Sequence, residues 1–101
     1  MSSQLRYTKT PDLKLRPLKE HGYLLVFTPT RPGLHWLNLN AWLIFELCDG
    51  KTEEQLRQAY LAAVSRKLSP EEARSQLQAG LAQLERIDVV RKSSEAPEVY
   101  A

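Results

Sequence analysis

The sequence is poor in the residues from which small proteins build disulfides and metal sites. It contains one cysteine, Cys48, and two histidines, His21 and His35. A single cysteine cannot form an internal disulfide, which fits a reducing compartment. It also leaves too few ligands for a metal cluster with the usual Cys and His spacing. We therefore expect no cofactor and no catalytic thiol, and we interpret Cys48 as a buried structural residue.

Long apolar runs are missing as well. No stretch approaches the roughly 18 consecutive apolar residues of a membrane span, and residues 1–10 lack the apolar run of a signal peptide. Glycine-rich phosphate loops and Ser-His-Asp orderings are also absent. These absences predict a cytoplasmic protein with no membrane partner and no catalytic centre. A length of 101 residues fits one domain with a modest core.

Charge is distributed unevenly along the chain. Residues 1–31 hold six Lys or Arg against two Asp or Glu, so their net charge is +4; the remaining residues hold eight against ten, a net charge of −2. This basic excess could meet an acidic peptide or an acidic enzyme surface, but it falls short of a typical nucleic-acid footprint. We therefore expect no nucleic-acid partner.

Residues 1–12 are expected to form a flexible N-terminal arm, because they lack apolar periodicity and end in a turn signal. The next three segments have strand character. Leu13 to Leu18 contains Pro17, which restricts it to a sheet edge. Tyr23 to Thr28 is apolar on both alternating faces and is predicted to be the covered central strand. After a proline-rich loop, Leu34 to Leu37 is predicted to return beside it as a hairpin.

Helical periodicity begins after this hairpin. Ala41, Ile44, Phe45 and Cys48 predict a first helix that is capped by Asn38 or Asn40 and terminated by Gly50. Capping boxes at Thr52 and Ser69 predict two further helices, the second with Pro70 at its first position. The acidic pairs 53–54 and 71–72 fall in first turns, where negative charge favours the helix dipole, so we interpret them as capping rather than catalytic residues.

These elements predict an α+β fold of the winged helix-turn-helix type, with a small three-stranded antiparallel sheet followed by three helices. The predicted domain covers residues 13–91, and residues 92–101 are predicted to be a flexible tail.

Several of these residues also occur in a family pattern. The string Trp36-Leu37-Asn38 is followed by Ala41, Ile44, the corner Glu46-Leu47-Cys48-Asp49-Gly50, and then Thr52 and Leu56. In this order and spacing, the set resembles the PqqD-like peptide chaperones over about residues 13–91. Two features depart from the pattern. The loop at residues 29–33 is longer and richer in proline, and the end of the segment, Ile87-Asp88-Val89-Val90, lacks the family's usual glycine-apolar ending.

The resemblance implies a non-catalytic adaptor that binds the leader of a ribosomal precursor peptide and presents it to a modifying enzyme, often a radical S-adenosylmethionine enzyme. In that family the leader adds as a strand beside the third strand and lies against the third helix, which is a known form of peptide recognition. Carried onto this sequence, the implied peptide-binding residues are Leu34, His35, Trp36, Leu37, Ala73, Arg74, Leu77, Gly80, Leu81 and Leu84.

Alternatives remain open for some of these residues. If Trp36 packs inward, His35 faces outward beside the peptide edge; both could equally be ordinary sheet residues. Gly80 either keeps the groove shallow or lets the third helix pack closely on its neighbours. A winged-helix DNA-binding transcription regulator is the alternative function, and the net acidic third helix argues against it.

Overall fold

A computed structural model describes residues 5–29 and 32–94. Over these ranges the chain forms six strands, three α-helices and a 3-10 turn at Lys19–His21. In chain order, the strands and helices are β1 Leu5–Lys9, β2 Lys14–Leu18, β3 Tyr23–Thr28, β4 Gly33–Leu37, α1 Leu39–Leu47, β5 Asp49–Thr52, α2 Glu53–Val64, α3 Pro70–Arg86 and β6 Val90–Ser94.

The strands form two antiparallel sheets of three strands each. One has the order β5-β1-β6 and the other has the order β2-β3-β4. The α+β class, the three helices and a three-stranded antiparallel sheet ahead of them agree with the sequence-based prediction. The prediction of a single sheet is wrong, because the strands are divided between two sheets.

The β5-β1-β6 sheet contains residues that were predicted to lie in the N-terminal arm and in the C-terminal tail. Leu5–Lys9 is its middle strand, so the prediction of a loose arm is wrong for these residues. Tyr7 is 6% exposed and belongs to the core. At the other end, Val90–Ser94 pairs with β1 along its whole length, which corrects the predicted tail for residues 92–94. Residues 95–101 of that predicted tail lie outside the described residues.

The β2-β3-β4 sheet follows the sequence-based prediction more closely. β2 carries Pro17 and lies at an edge, while β3 lies between β2 and β4. On β3, Leu24, Val26 and Thr28 are buried. The alternate residues Tyr23 and Phe27 are exposed, so the expectation that β3 is covered on both faces is wrong.

Helix starts agree with the predicted caps. The side chain of Asn38 accepts a hydrogen bond from the Ala41 N–H at 2.8 Å, and capping boxes are present at both Thr52 and Ser69. The end of α1 differs from the prediction, since α1 ends at Leu47 with Cys48 as its cap. Gly50 lies in β5 with a φ of 102°.

The side chain of Lys9, on β1 of the other sheet, caps the C-terminal end of α1. The Lys9 ammonium donates to the main-chain oxygens of Glu46 at 3.2 Å and Cys48 at 3.1 Å. A cation at these carbonyls is favourable, because the last carbonyls of a helix lack partners within the helix and carry partial negative charge. β1 thus holds α1 by a contact that no local sequence pattern contains.

The core lies between the inner face of the β2-β3-β4 sheet, the three helices and part of the second sheet. Its fully buried side chains include Ile44 and Phe45 from α1, Leu56 and Tyr60 from α2, and Leu84 from α3. Among the described residues, no helix combines the length and the apolar character that crossing a membrane would require.

Candidate peptide-binding edge and groove

β4 is an edge strand. It pairs with β3, and no described strand occupies its other side. An edge strand presents unpaired backbone N–H and C=O groups, to which an extended peptide can add as a further strand. Three of the four β4 residues predicted to bind a peptide, Leu34, His35 and Trp36, have side chains that are at least partly exposed, whereas Leu37 is buried.

Two hollows separate this part of the chain from α3. One, of about 270 Å³, is lined by Pro32, Gly33 and His35 on one side and by Arg86 and Ile87 on the other. The second, of about 170 Å³, lies between residues at the start of α1 and one face of α3, and its lining residues are Asn38, Asn40, Ala41, Gln76, Ala79, Gly80 and Gln83. We call the two hollows together the β4–α3 groove.

The groove uses a different face of α3 from the one predicted. Four of the predicted helix residues are buried in the core and offer no surface to a peptide in this conformation: Ala73, Leu77, Leu81 and Leu84. Arg74 is exposed, but it lies two positions before Gln76, which places the two side chains about 200° apart around the helix. Gly80 is the predicted helix residue that also lines the groove.

Gly80 is in close contact with α1. A Cβ atom built on Gly80 would overlap Cδ1 of Ile44. Ile44 is fully buried, so its side chain cannot simply swing into solvent. This geometry favours the packing interpretation of Gly80, in which the absence of a side chain lets α3 approach α1. Gly80 then lines the groove as a consequence of the close approach of α3 to α1.

His35 and Trp36 point in the directions opposite to those considered first. His35 lies opposite Val26, on the inner side of the sheet, and lines the groove with Arg86 and Ile87. Trp36 lies on the outer side and is 58% exposed. Trp42, whose environment the sequence left open, is partly buried on α1, and its Nε1–H donates to the Glu46 carboxylate at 3.3 Å.

The groove face of α3 has its own sequence signal. Gln76, Ala79, Gly80 and Gln83 follow a helical spacing and are small or polar rather than apolar. Such a stripe is usually an exposed helix surface, so nothing in the sequence alone favoured it as a binding face. The sequence-based prediction selected the neighbouring apolar stripe of α3 instead, and that stripe is buried in the core.

Cys48 lies in an environment that suppresses thiol chemistry. It is fully buried, and its Sγ donates to the main-chain oxygen of Ile44 at 3.2 Å. Burial raises the pKa of the Cys48 thiol to about 12, since the thiolate would lose its hydration; the neighbouring Lys9 only partly opposes this. Both observations agree with a structural thiol.

Cys48 should therefore resist alkylation in the folded protein. At pH 8 we expect iodoacetamide to modify it more than about 100-fold more slowly than in the unfolded chain, because only the thiolate reacts and it is scarce when the pKa is raised. Intact-mass spectrometry in buffer and in 6 M guanidinium, roughly full denaturing strength, measures both rates. Equal rates would show that Cys48 is accessible.

Among residues 5–29 and 32–94, no group of three or more His, Cys, Asp or Glu side chains is placed to hold a metal ion. A scan of protein-family models, a search of curated proteins and a search of solved structures each found no match to the chain. Inference about function therefore rests on the edge, the groove and the residues around them.

Proposed function

We propose that this protein is a non-catalytic, cytoplasmic adaptor that binds an extended peptide as an added strand beside β4 and presents it to a modifying enzyme. The observation that carries the proposal is that β4 is an edge strand and that a residue of β4, His35, lines the groove together with the end of α3. Strand addition needs both features: an edge supplies main-chain hydrogen bonds, and a groove beside it selects alternate side chains.

The chemistry of the groove supports a peptide ligand. Gln76 and Gln83 offer amide donors and acceptors, while Ala79 and Gly80 leave room beside them. Arg86 and His35 stand at the other end of the groove, where an acidic side chain of the peptide would be favoured. A peptide lying along the groove would thus meet small and polar side chains first and a basic end next.

The resemblance to PqqD-like chaperones narrows the proposal. Three strands, β2, β3 and β4, precede the three helices, as expected for that family, although β5 lies between α1 and α2. The proposed peptide site lies beside β4, the third of these strands. On this basis the ligand is the leader of a ribosomal precursor peptide encoded beside the gene. The modifying enzyme, often a radical S-adenosylmethionine enzyme in that family, is then a separate chain.

Backbone methylation of the peptide tests strand addition directly. In an added strand, alternate peptide N–H groups donate to β4, so N-methylation should weaken binding at every second position, by about tenfold or more for each lost bond that leaves an acceptor unpaired. Calorimetric titration of singly N-methylated leaders measures this pattern. Losses that follow side-chain identity, with no period of two, would refute strand addition.

A bulky residue in the groove provides the matching test on the protein. Gln83→Trp should lower leader affinity by about tenfold or more, because the indole would fill the space a peptide side chain needs. Gln78→Trp is the control, since Gln78 is also exposed on α3 and lies about 140° around the helix from Gln83. Equal affinities for the two variants would remove the groove from the site. Retardation of duplex DNA at low salt, with no peptide binding, would instead favour a transcription regulator.

A further inference from the structure

The outer face of the β2-β3-β4 sheet is apolar and uncovered. Alternation along β3 and β4 places five apolar side chains there: Tyr23, Leu25, Phe27, Leu34 and Trp36. The exposed fractions are 58% for Trp36, 57% for Leu34, 40% for Tyr23 and 36% for Phe27. We call these five residues the apolar face.

The apolar face is continuous. Phe27 lies opposite Leu34 and Leu25 opposite Trp36 in the β3–β4 register, and the Tyr23 and Trp36 rings meet edge to face with centroids 5.6 Å apart. Side chains of this size expose roughly 300–400 Å² in such a patch, which reaches the range of the largest apolar patches on ordinary monomers. A patch of this size and continuity is typical of a protein interaction surface.

Two cations flank the apolar face on the adjacent strand. Lys14 lies opposite Phe27 and Arg16 lies opposite Leu25, so both side chains leave the sheet on the side of the apolar face. Both residues are exposed, and neither forms an ion pair with any residue that the structure describes. The charge along this margin is therefore available to an acidic partner.

We propose that the apolar face is a docking surface, distinct from the β4–α3 groove, for an amphipathic helix of a partner protein with carboxylates along one flank. An apolar helix stripe packs on a sheet face, and the flanking carboxylates would pair with Lys14 and Arg16. The partner's identity rests on the proposed function: it is the peptide-modifying enzyme. Docking there would hold the enzyme next to a peptide added at β4, because both surfaces share that strand.

A second copy of this chain fits the surface less well. Two apolar faces in contact would bring Lys14 and Arg16 of both copies to one interface. Over residues 13–29 and 32–38, Glu20 is the one acidic residue, and it lies on the 3-10 turn rather than on the sheet face. Like charges near an interface oppose association. Charge complementarity therefore favours a different, acidic partner.

A lipid surface also fits less well. Two cations contribute only about 1 kcal/mol each to binding an anionic membrane. The apolar face includes Leu34 and Trp36 on β4, whose unpaired edge groups would enter the apolar layer with them. Unpaired backbone groups are costly there. A protein helix covers the face without burying that edge in hydrocarbon.

Charge reversal tests the docking surface without touching β4. The double variant Lys14→Glu, Arg16→Glu should bind the enzyme encoded beside the gene at least about tenfold more weakly, while its affinity for the leader peptide stays within about twofold. The matched control is Arg66→Glu, Lys67→Glu, a pair of exposed cations in the turn between α2 and α3. Biolayer interferometry measures enzyme binding, and calorimetry measures leader binding in a separate titration.

A second variant tests the apolar contribution. Phe27→Thr keeps a residue with high strand propensity and should also lower enzyme affinity about tenfold, with circular dichroism confirming the fold. Unchanged enzyme affinity in both variants overturns the docking surface, as does failure of the wild-type protein to bind the enzyme.

Two other results would assign the apolar face to another occupant and overturn the proposal. One is a wild-type dimer in sedimentation that Phe27→Thr converts to monomer. The other is binding to phosphatidylserine vesicles that Phe27→Thr abolishes. Failure of the leader to bind the wild-type protein would count against the proposed function alone, because enzyme docking is measured without the leader.

Discussion

Tyr7→Ala is expected to lower the free energy of unfolding by about 3–5 kcal/mol, the usual loss when a buried aromatic side chain is removed. Tyr7 is 6% exposed and lies at the centre of β1, opposite Lys51 on β5 and Lys92 on β6. The loss is a large fraction of the stability of a domain of this size. Urea denaturation followed by circular dichroism measures it.

Leu5→Ala is the matched control in the same strand. Leu5 is 46% exposed, so its truncation should cost much less than that of Tyr7. Deletion of residues 1–9 should have the strongest effect, because it removes the strand that joins β5 to β6 and the Lys9 cap of α1. An unchanged unfolding midpoint after that deletion would show that β1 contributes little to the stability of the fold.

Gly80→Ala is expected to destabilise the protein by about 1–3 kcal/mol, although alanine is the better helix former by up to about 1 kcal/mol. The reason is steric: the new methyl group would overlap Cδ1 of Ile44, whose side chain is fully buried. Thermal and urea unfolding measure the change. A higher melting temperature would show that α3 and α1 have room between them.

Ile44→Val provides the compensating change, because it removes the Cδ1 atom that the methyl group introduced by Gly80→Ala would strike. Alone it should cost about 0.5–1.5 kcal/mol for the lost burial. Combined with Gly80→Ala, the total loss should be smaller than the sum of the two separate losses, as coupled neighbours require. Ser75→Ala, an exposed change on the same helix, is the control for helix propensity. Simple additivity would exclude the proposed contact.

The local signals in the sequence were reliable where one element decides the outcome. The Thr52 and Ser69 capping boxes form as predicted, because the residues involved lie within one helical turn. Pro17 lies on the edge strand β2, as expected for a residue that has no backbone N–H to donate to a second neighbouring strand. The β3–β4 hairpin also forms as expected.

The candidate site was predicted only in part. β4 and α3 were the predicted elements, and both line the groove. Most of the residues predicted on α3 lie in the core, because an apolar stripe is equally suited to a core and to a peptide groove, and periodicity cannot distinguish the two. The inward position of His35 could not be predicted either, since a period of two fixes only that His35 and Trp36 point to opposite faces.

The sequence by itself determined most of the local elements from residue 13 to α3, with their type, order and most of their caps, because these depend on contacts within a few residues. The exception is β5, Asp49–Thr52, which is a strand through its pairing with β1. Only the tertiary structure decided that Leu5–Lys9 and Val90–Ser94 are strands, since each becomes one through pairing with distant residues. It also decided which face of each strand and helix is buried. Whether a face is buried depends on what packs against it, and the fold decides this. The fold buries Tyr7, places Gly80 against Ile44 and leaves Trp36 uncovered.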